Sequence, residues 1–120
     1  MSKKKILIVE DESIHAFLLK TILEEKYEIV NVVARGCEAV DNALEQKPDL
    51  IIMDIMLADD ITGIEAIYRI QKIRKVKHVY CTAFTDQGIV AEAEKTNPEK
   101  IIYKPYDLDE FLNSVNNILQ

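Results

Sequence analysis

The chain has 120 residues, of which 48% are hydrophobic and 30% charged, proportions typical of one globular domain that exclude a disordered or collagen-like chain. Its 15 Lys and Arg against 21 Asp and Glu give a net charge of −6, which argues against direct binding of nucleic acid or of a membrane through a basic face. No run approaches the ~18 apolar residues of a membrane span, and the start of the chain lacks a secretory apolar run. Cys37 and Cys81 form no CxxC motif, so we expect reduced thiols in a cytoplasmic protein.

Five short apolar runs predict β-strands. Continuous runs of about four apolar residues are typical of strands that are covered on both faces, as in a parallel sheet. One run, residues 27–33, is interrupted by Asn31 and predicts an edge strand. The four continuous runs are residues 6–9, 50–53, 79–81 and 101–103.

Helical periodicity separates these strands. The first helix is predicted to bury a stripe formed by Ile14, Phe17, Leu18 and Ile22. Glu12 is expected to serve the first turn of that helix. The remaining helical patterns are residues 40–44, 64–70 behind Thr62, 88–94, and 108–119 behind Asp107. Five strands alternating with five helices predict an α/β sandwich with right-handed crossovers.

Polar side chains follow four of the predicted strands. Glu10 and Asp11 end the first, Asp54 the third, Thr82 the fourth and Lys104 the fifth. In an open parallel sheet these ends lie along one edge, where such folds hold ligands. With the strand order 2-1-3-4-5 the three carboxylates converge, and they repel one another unless protons or a cation intervene. Ligands that are all oxygen favour a hard ion such as Mg²⁺.

The same edge predicts a site for a phosphoryl group. Lys104 can neutralise a carboxylate and later contact a phosphoryl oxygen, and Thr82 offers a hydroxyl in the same row. The set describes an aspartate, Asp54, that accepts a phosphoryl group while a metal ion, a lysine and a hydroxyl bind the oxygens.

These motifs resemble the receiver domains of two-component response regulators. The resemblance rests on residues 6–12, 51–55, 82–83 and 104–106 and extends from Lys5 to Leu119. It implies a flavodoxin-like three-layer sandwich with a five-stranded parallel sheet of order 2-1-3-4-5 and five helices. Residues 1–120 would form a single receiver domain, with no output domain in this chain.

The resemblance also implies roles for the acidic residues. Asp54 would be the phosphoacceptor, taking its phosphoryl group from the phosphohistidine of a histidine kinase or a phosphotransfer protein. Asp11 would bind Mg²⁺ directly, and Glu10 would act through water or as a second acidic contact. The backbone carbonyl of Met56 would be another ligand of the ion.

Thr82 and Lys104 would bind the phosphoryl oxygens and report the modification to a downstream protein partner. The resemblance also implies a cis peptide bond between Lys104 and Pro105, and a face made of helix 4, strand 5 and helix 5 through which two copies can pair. Ile101 stands where the family often has a Tyr or Phe that swings inward. We therefore expect the switch to depend on Thr82, with Ile101 only repacking.

Two further departures concern the loops. Ala58 replaces the usual proline after the phosphoacceptor and Gly63 falls one residue late, which predicts a longer loop. Met56 and Phe84 each lie two residues beyond a site residue, at positions that in receivers flank the path of the attacking water. Neither side chain can orient a water molecule, so the sequence predicts a long-lived phosphoaspartate.

The sequence leaves three alternatives. The chain could be the receiver piece of a larger hybrid histidine kinase or phosphorelay protein. A small aspartate-based phosphatase is disfavoured because Met56 stands where such enzymes carry a second Asp, and because 120 residues leave no room for a cap. A flavodoxin-like cofactor binder needs a phosphate-cradling loop after the first strand, where Glu10, Asp11 and Glu12 would repel the ligand. We therefore expect a signalling module rather than an enzyme.

Overall fold

In the described part of the chain, five strands and five helices alternate, and all strand pairs are parallel in the order 2-1-3-4-5, as predicted. The computed structural model describes residues 3–57, 61–83 and 86–120. Within these ranges no helix combines the length and the apolarity needed to cross a membrane. The strands are β1 (Lys5–Val9), β2 (Glu28–Val33), β3 (Leu50–Met53), β4 (Lys77–Thr82) and β5 (Lys100–Tyr103). The helices are α1 (Ser13–Leu23), α2 (Gly36–Gln46), α3 (Gly63–Gln71), α4 (Gln87–Glu94) and α5 (Leu108–Ile118).

The core consists of two apolar clusters, one on each face of the sheet. Successive strand side chains point to opposite faces, so Leu7 belongs to one cluster and Ile8 to the other. The first cluster is closed by α2, α3 and α4, for example through Ile67 of α3. The second is closed by α1 and α5, where Phe111 is almost fully buried. The molecule is therefore a three-layer sandwich, and the central strands are buried on both faces as their continuous apolarity predicts.

The buried face of α1 differs from the prediction. The helix buries Ala16, Leu19 and Leu23 against the sheet, whereas Ile14 is 82% exposed and Phe17 is 71% exposed. Both sets satisfy helical spacing, so the pattern alone does not determine which of them faces inward. The sheet and the neighbouring α5 determine it, and they leave an apolar surface on the outer side of α1.

Two of the predicted helix starts have a side-chain capping bond. The Thr62 hydroxyl accepts the Glu65 amide at 3.1 Å, and the Asp107 carboxylate accepts the Glu110 amide at 3.1 Å. Glu12 stands in the N-cap position of α1, at the helix start as expected, although its side chain makes no capping bond. A glutamate is longer than the side chains that cap well, and here the Glu12 backbone makes the contacts: its amide donates to Oε2 of Glu10 at 3.1 Å and its carbonyl accepts the Ala16 amide at 2.9 Å.

Gly63 allows α3 to start directly against the end of β3. A Cβ atom at this position would lie 2.1 Å from the carbonyl oxygen of Asp54. The Gly63 amide donates to the carbonyl of Ile55 at 2.8 Å, which ties the helix start to the segment after the strand. Any side chain here would displace α3 or Asp54, so this glycine helps to position the acid.

Candidate functional site

Backbone hydrogen bonds position the polar residues at the carboxyl edge of the sheet. The Asp54 amide donates to the carbonyl of Val9 at 3.0 Å, and the Lys104 amide donates to the carbonyl of Thr82 at 2.9 Å. Glu10 is held in the same way against β2. The ladder thus continues one residue past β1, β3 and β5, which fixes the directions in which Glu10, Asp54 and Lys104 leave the sheet.

Three carboxylates meet at this edge, as the strand order predicts. Glu10, Asp11 and Asp54 each offer an oxygen within 4.8 Å of the others. Glu10 and Asp54 are buried, and Asp11 is exposed. A set of ligands that are all oxygen, with one exposed member and two buried ones, fits a hard divalent cation that keeps part of its water shell.

Glu10 is the most fully bonded of the three acids. Its Oε1 lies 2.7 Å from the ammonium of Lys104 and 2.5 Å from Nδ1 of His15, and its Oε2 accepts the Glu12 amide at 3.1 Å. Burial by itself raises the pKa of Glu10, but the hydrogen bonds from His15, Lys104 and the Glu12 amide outweigh it and hold the pKa at about 2. Glu10 is therefore ionised at neutral pH although its side chain is only 2% exposed.

Asp54 has weaker compensation. Its Oδ2 lies 3.6 Å from the Lys104 ammonium and its Oδ1 accepts the Met56 amide at 3.3 Å. Burial, together with the charge of Glu10, raises the pKa of Asp54 to about 6. Burial and the charge of Glu10 also raise the pKa of Asp11. The one ammonium of Lys104 does not offset the negative charge of the three carboxylates. Such an excess of negative charge favours binding of a cation.

His15 is a site residue that the sequence analysis missed. It lies in the first turn of α1, where Nδ1 contacts Glu10 and Nε2 contacts the hydroxyl of Tyr106. Tyr106 follows Lys104 by two residues and stacks on Phe111, with ring centroids 5.1 Å apart. A histidine in the first turn of a helix that starts beside an acidic strand end was an available signal, but Tyr106 lies 91 residues away in sequence.

The residues predicted to act as a switch lie on neighbouring strands. Thr82 ends β4 and is 1% exposed, while Ile101 in β5 is partly buried and packs against the cluster closed by α2, α3 and α4. The peptide bond between Lys104 and Pro105 is cis, as expected.

The predicted flanks of the water path are only partly described. The Met56 side chain is 45% exposed beside Asp54. Phe84 lies outside the described residues, and so does Ala58 in the loop after β3. The prediction about loop length therefore stays a prediction.

Comparison with known proteins gives the family of this fold. The sequence model of the response regulator receiver domain matches residues 6–116. The chain is 34% identical over 117 residues to the chemotaxis protein CheY of Thermotoga maritima, covering 96% of this chain and 97% of that protein.

Solved structures give the same result. A CheY-like receiver domain protein from Methanospirillum hungatei superposes with a TM-score of 0.90 at 26% identity, covering 97% of this chain and 93% of the other. The receiver domain of a modulated diguanylate cyclase from Desulfovibrio desulfuricans has a TM-score of 0.89 at 29% identity, covering 98% and 94%. The chain belongs to the response regulator receiver domains, the signalling modules of two-component systems.

Proposed function

We propose that this receiver accepts a phosphoryl group on Asp54 from the phosphohistidine of a histidine kinase or a phosphotransfer protein. One observation carries the proposal. Asp54 is a buried carboxylate at a strand end, with two further carboxylates within 4.8 Å and a lysine ammonium 3.6 Å from its Oδ2. Transfer forms an O–P bond at Asp54 and breaks the N–P bond of the donor, whose electron pair stays with the imidazole.

The protein groups around Asp54 support such a reaction. With a pKa of about 6, Asp54 is mostly ionised at neutral pH and can act as the nucleophile. Met56 donates its amide to Oδ1 at 3.3 Å, which orients the carboxylate. Lys104 lies close enough to contact an incoming phosphoryl oxygen by a small movement of its side chain.

The acidic cluster supports Mg²⁺ as the cofactor. Asp11, Glu10 and Asp54 each offer a carboxylate oxygen within 4.8 Å of the others and would hold the ion. The backbone carbonyl of Met56 would be a further ligand. When bound, Mg²⁺ supplies positive charge that offsets the repulsion between the acids and the incoming phosphoryl group.

The phosphoryl donor would approach over the edge that carries Asp54. The outer side of α1 adjoins this edge and presents Ile14 and Phe17 to solvent. An apolar surface beside an exposed acid, Asp11, supports docking of a protein donor rather than a small molecule alone. The downstream partner, or a second copy, would use the face made of α4, β5 and α5.

Thr82 would carry the response of that face to phosphorylation. It ends β4 beside the strand of Ile101, and Ile101 packs on the cluster that α4 helps to close. We expect Thr82→Ala to uncouple phosphorylation from partner binding, while Ile101→Val, which removes one methylene, has little effect. Equal large losses in both variants would contradict this form of the switch.

The test of the proposed function is labelling by a radioactive acyl phosphate with and without Mg²⁺. The wild type should incorporate label only when Mg²⁺ is present, and Asp54→Asn should incorporate none, because the amide keeps the shape and lacks the nucleophile. Asp41→Asn, which removes an exposed carboxylate of α2, is the matched control and should label normally. Wild-type labelling of Asp54→Asn would reject the proposal. The same chemistry would serve a receiver within a larger hybrid histidine kinase acting in the cytoplasm.

A further inference from the structure

Glu10 shares one carboxylate oxygen between two donors. Its Oε1 lies 2.5 Å from Nδ1 of His15 and 2.7 Å from the Lys104 ammonium. The Glu10 side chain is 2% exposed, His15 is 11% exposed and Lys104 is 20% exposed. Lys104 is thus engaged with Glu10 more closely than with Asp54, from which it stands 3.6 Å away.

This arrangement raises a difficulty for phosphorylation. Lys104 must leave or loosen its contact with Glu10 to bind a phosphoryl oxygen on Asp54. A buried carboxylate that loses a charged donor and gains no replacement is strongly destabilised. Mg²⁺ at the proposed site would offset part of the lost charge, and the Glu12 amide stays on Oε2, but neither donates a hydrogen bond to Oε1. The movement of Lys104 is therefore least costly when Glu10 keeps another donor at Oε1.

His15 is that donor, and its own position is fixed from the other side. An ionised carboxylate only accepts hydrogen bonds, so Nδ1 of His15 is the donor to Glu10, while Nε2 on the other side of the ring lies against the hydroxyl of Tyr106. Tyr106 is itself held by stacking on Phe111.

We propose that His15 is a positioning residue that holds the Glu10 carboxylate while Lys104 moves to the phosphoryl group on Asp54. The inference rests on the proposed function, because it concerns the same phosphoryl site. It gives a residue of α1 a role at the phosphoryl site. His15 lies outside the two segments, residues 6–12 and 104–106, that supply the acids Glu10 and Asp11 and the lysine.

Three substitutions of His15 distinguish the effect of its hydrogen bond to Glu10 from the effect of its packing. His15→Leu keeps much of the bulk and removes both hydrogen bonds. His15→Asn places an amide nitrogen near the position of Nδ1 and can still donate to Glu10. His15→Gln extends its amide toward the position of Nε2, where it meets Tyr106 instead of Glu10.

Two equilibrium titrations, followed by calorimetry, give readouts that do not depend on turnover. The first titrates Mg²⁺ into the unphosphorylated protein, a step in which Lys104 does not have to move. The second titrates beryllofluoride, a stable mimic of the phosphoryl group, at saturating Mg²⁺, a step in which Lys104 does move. We expect His15→Leu to weaken beryllofluoride binding roughly tenfold, the effect of one lost charge-assisted hydrogen bond, while Mg²⁺ affinity changes less than about twofold.

The Asn and Gln variants show whether beryllofluoride affinity depends on the hydrogen bond to Glu10. His15→Asn should recover most of the beryllofluoride affinity and His15→Gln should not. Equal affinities of the wild type and His15→Leu would overturn the inference, and so would parallel losses of Mg²⁺ and beryllofluoride binding in all three variants, which indicate a packing role. Failure of the wild type itself to bind beryllofluoride would reject the proposed function, and the inference with it.

Discussion

Replacing Asp54 by Asn should stabilise the metal-free protein. Asp54 has an ordinary pKa of 3.8, which burial and the charge of Glu10 raise to about 6 in the folded state. That difference corresponds to about 3 kcal/mol at ~1.4 kcal/mol per pKa unit. Asn keeps the shape of the protonated acid and has no charge to bury, so the variant should gain up to about 3 kcal/mol at pH 7.5.

The gain should depend on pH in a direction that follows from the raised pKa. The favourable contribution of Asp54 is fully present below pH 3.8 and is lost as the pH rises through about 6. The advantage of Asp54→Asn should therefore shrink to about 1 kcal/mol at pH 4.5. Glu10, whose pKa is lowered, contributes stability that is lost only as the pH falls below 4.5 toward 2, so it does not oppose this trend between pH 4.5 and pH 7.5.

Urea or thermal unfolding in the presence of a chelator measures the effect. In a domain of this size ~3 kcal/mol corresponds to a rise in melting temperature of about 10 °C. Asp41→Asn changes the net charge equally at an exposed position and should shift stability by less than about 0.5 kcal/mol. Millimolar Mg²⁺ should reduce the difference in stability between the wild type and Asp54→Asn, because it stabilises the wild type more. The reasoning is refuted if Asp54→Asn gains nothing at pH 7.5, or gains as much at pH 4.5.

Three further outcomes are expected. Asp11→Asn should weaken Mg²⁺ binding roughly tenfold in a calorimetric titration, because the ion loses a charged ligand. Unchanged affinity would mean that Asp11 does not contact the ion. Leu19→Ala should cost about 2–5 kcal/mol in urea unfolding because Leu19 is 1% exposed, whereas Phe17→Ser should cost less than about 0.5 kcal/mol and instead weaken transfer from a protein donor. Met56→Asn should shorten the lifetime of phospho-Asp54 several-fold at fixed Mg²⁺ and pH, because an amide can orient the attacking water; an unchanged decay rate would show that Met56 does not control access.

The residues that meet at the carboxyl edge of the sheet could be predicted from the sequence. In a parallel sheet every strand delivers its following residue to the same edge, so apolar runs that end in Glu10, Asp54 and Lys104 determine which groups meet. The order of the strands then determines which of these groups are neighbours, and the structure has the predicted order. Local spacing was equally sufficient for the capping contacts of Thr62 and Asp107, which span only three residues.

By itself, therefore, the sequence determined the layers, the acidic edge and the residues that compose it, because strand alternation and capping are local properties. Only the tertiary structure decided which side of α1 is buried, since two apolar stripes compete and packing against the sheet and α5 selects one. The same orientation of α1 places His15 against Glu10 and against Tyr106. The contact with Tyr106 joins residues 91 positions apart in the sequence. Periodicity assigns residues to a helix face, but the orientation of that face depends on long-range packing that no local pattern records.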